Sequence, residues 1–338
     1  MTGHSPEIFG GFGSPLAAGF IALVVSWILT PYVRKLAVVK GAIDDPNRDD
    51  RRIHKEPLPR WGGLAIFAGI IVSFCFIFPL RYASFPSYLV GIVLIGAVLM
   101  VFGALDDLHE YKARSQLLIL LGAGLAIQLF HGPHSHGVRI LSLGIPGGLS
   151  VLVFPEWLSV ILTAIYIFVI TKTMDTIDGV DGLAAGIATV CSATLAMIAW
   201  YMKQPAVALA AAGVGGAALG FLRHNFNPAK IIMGTGGAYV LGFTLACLSI
   251  VGALKTAATI SVFIPVLAFG VPIFDAFFVI TRRLMSGTPI TQPDKRHLHH
   301  VLLAKGLSQR QTVGVLISFA TVLGVALVLL IRHYYGPV

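Results

Sequence analysis

The chain has 338 residues, of which 56% are hydrophobic and only 12% charged, well under the ~25% charged residues usual in soluble domains. With a mean hydropathy of +0.85, this composition excludes a soluble globular enzyme and describes an all-α polytopic membrane protein. The net charge is +9 and has to be weighed against membrane topology before nucleic acid. The three cysteines, Cys75, Cys191 and Cys247, lie in apolar runs and give neither a disulfide nor a metal framework.

Residues 1–14 are polar and glycine-rich, without Lys or Arg, so a cleaved signal peptide is not expected. Apolar runs near the ~20 residues that cross a bilayer follow at 15–33, 61–80, 86–105, 115–131, 156–174, 183–201, 204–222, 231–253, 257–280 and 311–331. That makes about ten transmembrane helices. Of the 24 Lys and Arg, 19 fall in segments 34–60, 106–114, 171–182, 223–237 and 281–310. Only Arg81, Arg139, Lys203, Lys255 and Arg332 lie on the other side. This positive-inside asymmetry places those five segments in the cytoplasm and both termini outside. It also absorbs much of the net charge, so no nucleic acid is expected. On the outer side, residues 138–153 form two β-prone runs around Ile145-Pro146-Gly147-Gly148, a small external β-hairpin. The nearby His131, His134 and His136 read as a solvated loop.

The polar clusters all fall on the cytoplasmic side. Arg52-Ile53-His54-Lys55-Glu56-Pro57-Leu58-Pro59-Arg60-Trp61-Gly62-Gly63 suits a phosphate-bearing ligand, or serves simply as a topological anchor. Asp106-Asp107-Leu108-His109-Glu110 closes the third run. Adjacent carboxylates suit Mg²⁺ carrying a diphosphate, because that ion usually takes one or two protein carboxylates plus phosphate oxygens. A carboxylate pair alone is a weak signal. In Asp175-Thr176-Ile177-Asp178-Gly179-Val180-Asp181-Gly182-Leu183 three carboxylates recur every third residue, each costing at least ~2.5–3.5 kcal/mol if left ionised in hydrocarbon. The glycines indicate a tight turn or a broken helix end. The absence of alternating ligands and of a glutamate at position 12 excludes an EF-hand. The plain alternative is a solvated turn with capping aspartates.

Asn225-Phe226-Asn227-Pro228-Ala229-Lys230 and Met233-Gly234-Thr235-Gly236-Gly237 bracket the start of the eighth run, without the Gly-Lys-Ser/Thr of a Walker loop. In Pro293-Asp294-Lys295-Arg296-His297-Leu298-His299-His300, His297 and His300 would share a helical face. Carboxylates facing basic groups favour Mg²⁺-phosphate chemistry over zinc. Asp275, within the ninth run, reads as a cavity residue or as the partner of Arg282 or Arg283.

Together these stretches resemble the polyprenyl-phosphate N-acetylhexosamine-1-phosphate transferases, from about residue 31 to 331. The family pattern appears in order as His54–Gly63, Asp106-Asp107, Asp178-Gly179-Val180-Asp181-Gly182-Leu183-Ala184, Asn225–Lys230 and Arg296–His300. The resemblance implies one integral-membrane transferase domain over 1–338. It would move a sugar 1-phosphate, GlcNAc 1-phosphate above all, from a UDP-N-acetylhexosamine to polyprenyl phosphate (undecaprenyl or decaprenyl) and release UMP, the first membrane step of cell-wall or surface polysaccharide synthesis in a bacterial inner membrane. The Arg296–His300 form is similar to the branch that uses UDP-GlcNAc. Mg²⁺ is the implied cofactor, with Mn²⁺ as a substitute, and a homodimer is left open.

The same resemblance assigns Asp106, Asp107, Asp178 and Asp181 to catalysis. Asp107 and Asp178 are assigned to the metal, and Lys55, Arg60, Asn225, Lys230, Arg296, His297, His299 and His300 to substrate; Asp175 joins the metal set and Lys172 the substrate set on this chain's own residues. The pattern departs where Lys172 and Asp175 replace usual asparagines and Thr235 replaces a metal-binding aspartate. Asp175 is expected to restore that carboxylate, with Lys172 offsetting its charge or contacting phosphate. Two rival readings are a family member that binds UDP-sugar or lipid without turnover, and a transporter. A transporter predicts polar residues in mid-span and an inverted repeat, and the sequence has neither.

Overall fold

The computed structural model describes residues 13–46, 56–82, 84–132, 137–144, 151–253, 269–286 and 297–335. The helices in chain order are α1 (Gly13–Lys40), α2 (Gly62–Arg81), α3 (Ser87–His109), α4 (Ala113–Ala126), α5 (Glu156–Ile177), α6 (Leu183–Tyr201), α7 (Pro205–Asn225), α8 (Gly234–Ala253), α9 (Gly270–Ser286), α10 (Leu298–Ala304) and α11 (Gln309–Tyr335). Among the described residues eight of these, all but α4, α9 and α10, are long and apolar enough to cross a membrane. The fourth apolar run is the shorter helix α4 continued by a 3-10 turn. The ninth is represented by α9, and residues 254–268 lie outside the described set.

Helices overrun their apolar stretches at the end where the basic loops gather. α1 continues to Lys40 and stops at Gly41, whose φ of +74° suits the left-handed residue that ends helices. α3 runs through both adjacent aspartates to His109, and Glu110 closes it by donating its amide to the Asp106 carbonyl at 2.8 Å. The last turn of α3 thus carries two carboxylates on a rigid element.

α8 is the hub. It packs against α2, α3, α5, α6 and α7, and nearly all of its spanning stretch is buried. Lipid supplies no hydrophobic drive between helices, so close packing relies on small residues. A side chain at Gly63 would overlap the Gly237 backbone, and one at Gly103 would overlap Gly236. The starts of α2 and α8 and the end of α3 are thereby drawn together.

The strand pairing expected within 138–153 is present, with β3 (Ser142–Gly144) antiparallel to β4 (Val151–Val153) and Leu143 opposite Leu152; residues 145–150 are outside the described set. A second small ribbon, not anticipated from sequence, pairs β1 (Ile43–Asp44) with β2 (Leu58–Pro59). It continues into the segment before α8. The Ile232 amide donates to the Pro59 carbonyl at 2.8 Å, and the Gly62 and Gly63 amides donate to Ile232 and Met233 at 3.0 and 2.8 Å. The paired glycines of the first loop are therefore occupied with backbone, not set out as a phosphate cradle.

Candidate active site

The site forms where the ends of α3, α5 and α7 meet the starts of α2, α6 and α8. At its centre the first amides of α8 receive two aspartates. The Thr235 amide donates to Asp107 Oδ1 at 3.1 Å, and the Gly234 amide donates to the Asp178 carboxylate. A helix N-terminus is where carboxylates are most welcome, through unpaired amides and the helix dipole. Gly234 has φ +78°, and a side chain there would overlap Asp107 Oδ2, so glycine is required twice over. Arg60 completes the arrangement: Nη1 lies 3.3 Å from Asp107 Oδ1 and Nη2 lies 2.8 Å from Asp44 Oδ1. Asp107 is 4% exposed, and its Oδ2 has no hydrogen-bond partner among the described residues.

Asp178 ends α5 as its C-terminal cap, so the carboxylate run is a broken helix end as expected. Burial pushes its carboxyl well above the usual range, and the nearby Asp175 and Asp107 charges add to that. Arg60 and the Gly234 amide pull the other way.

A second chain of contacts runs across helices. Asp106 Oδ1 accepts the Tyr111 amide at 2.9 Å, and both Asp106 oxygens accept Gln116 Nε2 at 3.2 Å. Gln116 Oε1 in turn accepts from Lys172 Nζ at 2.8 Å, and Lys172 pairs with Asp175 Oδ2 at 2.7 Å. The ammonium stands 6.0 Å from the centroid of the Tyr239 ring on α8.

Asp181 and Asn225 tie the α5–α6 turn to the α7–α8 loop. Asp181 Oδ2 accepts Asn227 Nδ2 and the Ala229 amide, both at 3.0 Å, and Asn227 also donates to Gln309 on α11. Buried Asn225 accepts the Gly182 amide and donates to the Ile231 carbonyl, each at 3.0 Å. Both ends of its amide are committed, so it shapes the loops around the site. Lys230 is exposed on the same loop.

The histidines enter from the far end of the sequence. His297 does not share a helical face with His300, because its ψ of 154° leaves it outside α10 as the N-cap residue. Asp275, buried on α9, accepts His297 Nδ1 at 2.8 Å and the Leu298 amide at 2.6 Å. The His297 ring stacks on His299 at 5.8 Å, and His299 meets His300 at 4.3 Å. His299 Nε2 lies 3.5 Å from where a Gly179 Cβ would stand, so this cluster rests directly on the carboxylate turn. Burial, then His300, pushes the His299 imidazole down to about 3, and it is neutral at physiological pH. Lys55 and Arg296 lie outside the described residues.

Among the described residues no group of three or more His, Cys, Asp or Glu converges on a metal position, and Asp175 is turned onto Lys172. The bare, buried Asp107 Oδ2 and the charge-strained Asp178 nevertheless make a donor pair suited to a hard cation completed by phosphate oxygens. Gln116, Asp44, Tyr239 and Gln309 were not singled out from the sequence. Each stands in a stretch whose composition is that of an ordinary helix or loop, and only the fold brings them in.

The sequence profile of glycosyl transferase family 4 matches residues 89–253. The chain is 34% identical over 316 residues to a probable undecaprenyl-phosphate N-acetylglucosaminyl 1-phosphate transferase of Bacillus subtilis, covering 93% of this chain and 84% of that one. It is 32% identical over 335 residues to a decaprenyl-phosphate N-acetylglucosaminephosphotransferase of Mycobacterium tuberculosis, covering 90% and 80%. An undecaprenyl-phosphate alpha-N-acetylglucosaminyl 1-phosphate transferase of Escherichia coli is 27% identical over 302 residues, covering 86% and 77%.

Proposed function

Since the chain belongs to the polyprenyl-phosphate N-acetylglucosamine-1-phosphate transferases of glycosyl transferase family 4, we propose that it transfers GlcNAc 1-phosphate from UDP-GlcNAc to polyprenyl phosphate and releases UMP. The observation that carries the reading is the start of α8, where two aspartates from different helices are held by backbone amides and one buried oxygen is left bare. The reaction forms a bond from a lipid phosphate oxygen to the sugar-bearing phosphorus. The bond from that phosphorus to the bridging oxygen breaks, and UMP leaves with the electron pair.

Both reactants are anions, so positioning and charge compensation are the main tasks. Asp107 Oδ2 and Asp178 would hold Mg²⁺, with Mn²⁺ as a substitute; when bound, the ion screens the diphosphate charge against the incoming phosphate. Arg60 fixes the other Asp107 oxygen, so that only Oδ2 faces a ligand. Asp106 already accepts from Tyr111 and Gln116, and a phosphate with a second pKa near ~6 is largely ionised at pH 7. Asp106 therefore orients its surroundings and need not act as a base. His297, fixed by Asp275, and His299 and His300 contact sugar or phosphate, while Asp181 and Asn225 position the loops.

The charge asymmetry of the loops supports a reading in which this face lies in the cytoplasm, with both termini outside, and the membrane of that reading is a bacterial inner membrane. One chain carries every side chain named, so the reading requires no dimer. Purified protein given UDP-GlcNAc, polyprenyl phosphate and Mg²⁺ should release UMP and form a lipid-linked product, and EDTA should stop both. Thr235, standing where the family pattern has an aspartate, favours a second reading of binding without turnover. UDP-GlcNAc binding with no UMP release would select it.

A further inference from the structure

We propose that Lys172 is a preset phosphate-binding ammonium of this site, aimed by Gln116 as a positioning residue; this rests on the nucleotide-sugar reading above. An ammonium has three donors. Asp175 Oδ2 takes one at 2.7 Å and Gln116 Oε1 takes another at 2.8 Å. The third makes no hydrogen bond among the described residues, with the Tyr239 ring 6.0 Å from the ammonium as its other neighbour, and the Lys172 side chain is 38% exposed.

A plain counter-ion for Asp175 would need nothing more than the pair itself, and exposed pairs three residues apart contribute little alone. Gln116 commits its whole amide instead: its oxygen receives Lys172, and its NH₂ faces both oxygens of buried Asp106. Reversing that amide would set NH₂ against an ammonium and oxygen against a carboxylate, so the flanking charges fix its orientation. With two donors anchored in this way, the rotation of the ammonium is locked and the third proton has one direction. Asp106, Asp107, Asp175 and Asp178 outnumber Arg60 and Lys172, so the ligand that Lys172 meets there must bring its anion to a prepared positive point. An ammonium serves phosphate as such a point charge. Lys172 stands near the end of α5, six residues before Asp178, and Gln116 joins its head to Asp106, the neighbour of Asp107 in the chain.

The consequence is an affinity for the diphosphate that survives removal of divalent metal. The test is calorimetric titration of the purified full chain with UDP, in EDTA and in Mg²⁺. Wild type should bind UDP in EDTA, and Lys172→Met should weaken that binding by about tenfold or more. Gln116→Leu, which keeps the charge but removes its aim, should weaken it by about threefold or more, and should raise KM for UDP-GlcNAc more than it lowers kcat. Unchanged UDP affinity in EDTA for both variants would overturn the proposal and leave Lys172 as the partner of Asp175. So would wild-type binding that requires Mg²⁺. Wild type that fails to bind UDP in either buffer would overturn the nucleotide-sugar reading itself.

Discussion

Asp107 spends one oxygen on Arg60 and the Thr235 amide and keeps the other bare, and Gly234 is what leaves room for it. The two conspicuous glycines flanking this site should therefore differ. Gly234→Ala forces a side chain into positive φ and into Asp107, and activity should fall by about a hundredfold or more. Gly179→Ala places its methyl at ordinary contact distance from His299, and activity should stay within about threefold. Equal losses in the same turnover assay would mean that neither steric argument holds. His299 gives a pH test. Its folded value near 3 lies below the ordinary 6.5, so its contribution to stability is complete above about pH 6.5 and is lost as the pH falls from there toward 3. The loss is up to about 1.4 kcal/mol per pH unit. Thermal melts in detergent from pH 7.5 to 5 should fall less steeply for His299→Gln than for wild type. Parallel curves would show that burial does not hold this imidazole neutral.

At the scale of elements, the carboxylate motifs were legible because their chemistry conflicts with an apolar setting, and the charge of the loops told which ends of the helices gather. The partners were not legible. Gln116 lies near the start of a short apolar helix with no periodic signal, Asp44 in an ordinary loop, and the pairing of β2 with residue 232 is a contact across more than half the chain. His297 was misplaced because a spacing of three was read as helix, whereas Asp275 caps α10 from outside and leaves His297 extended. The loop junction at Asn225 is equally non-local. Replacing it by leucine strands the Gly182 amide and the Ile231 carbonyl, at a cost on the order of 3 kcal/mol. Asn225→Leu should melt several degrees lower and lose most turnover, whereas Lys230→Ala, on the same exposed loop, should melt like wild type. A normal melting temperature for Asn225→Leu would deny it the role of a loop clamp.

For the whole molecule, the account needs one active face with most of the positive charge beside it. In a cysteine-free background, thiols placed at Glu110 and Lys305 should resist impermeant reagents in intact cells, while one at Ser84 should label; the reverse pattern would invert the topology. Sugar-phosphate transfer is defined by which bond breaks. A glycosyltransferase that moves the sugar alone leaves both phosphates on the nucleotide, whereas transfer of the sugar phosphate leaves one. The direct measurement uses UDP-GlcNAc labelled with ³²P at the sugar-bearing phosphorus and with ¹⁴C in the sugar, incubated with the purified chain, polyprenyl phosphate and Mg²⁺. Both labels should enter the lipid fraction in equal proportion, with unlabelled UMP as the soluble product. Carbon in the lipid with the phosphorus label retained in UDP would contradict the account.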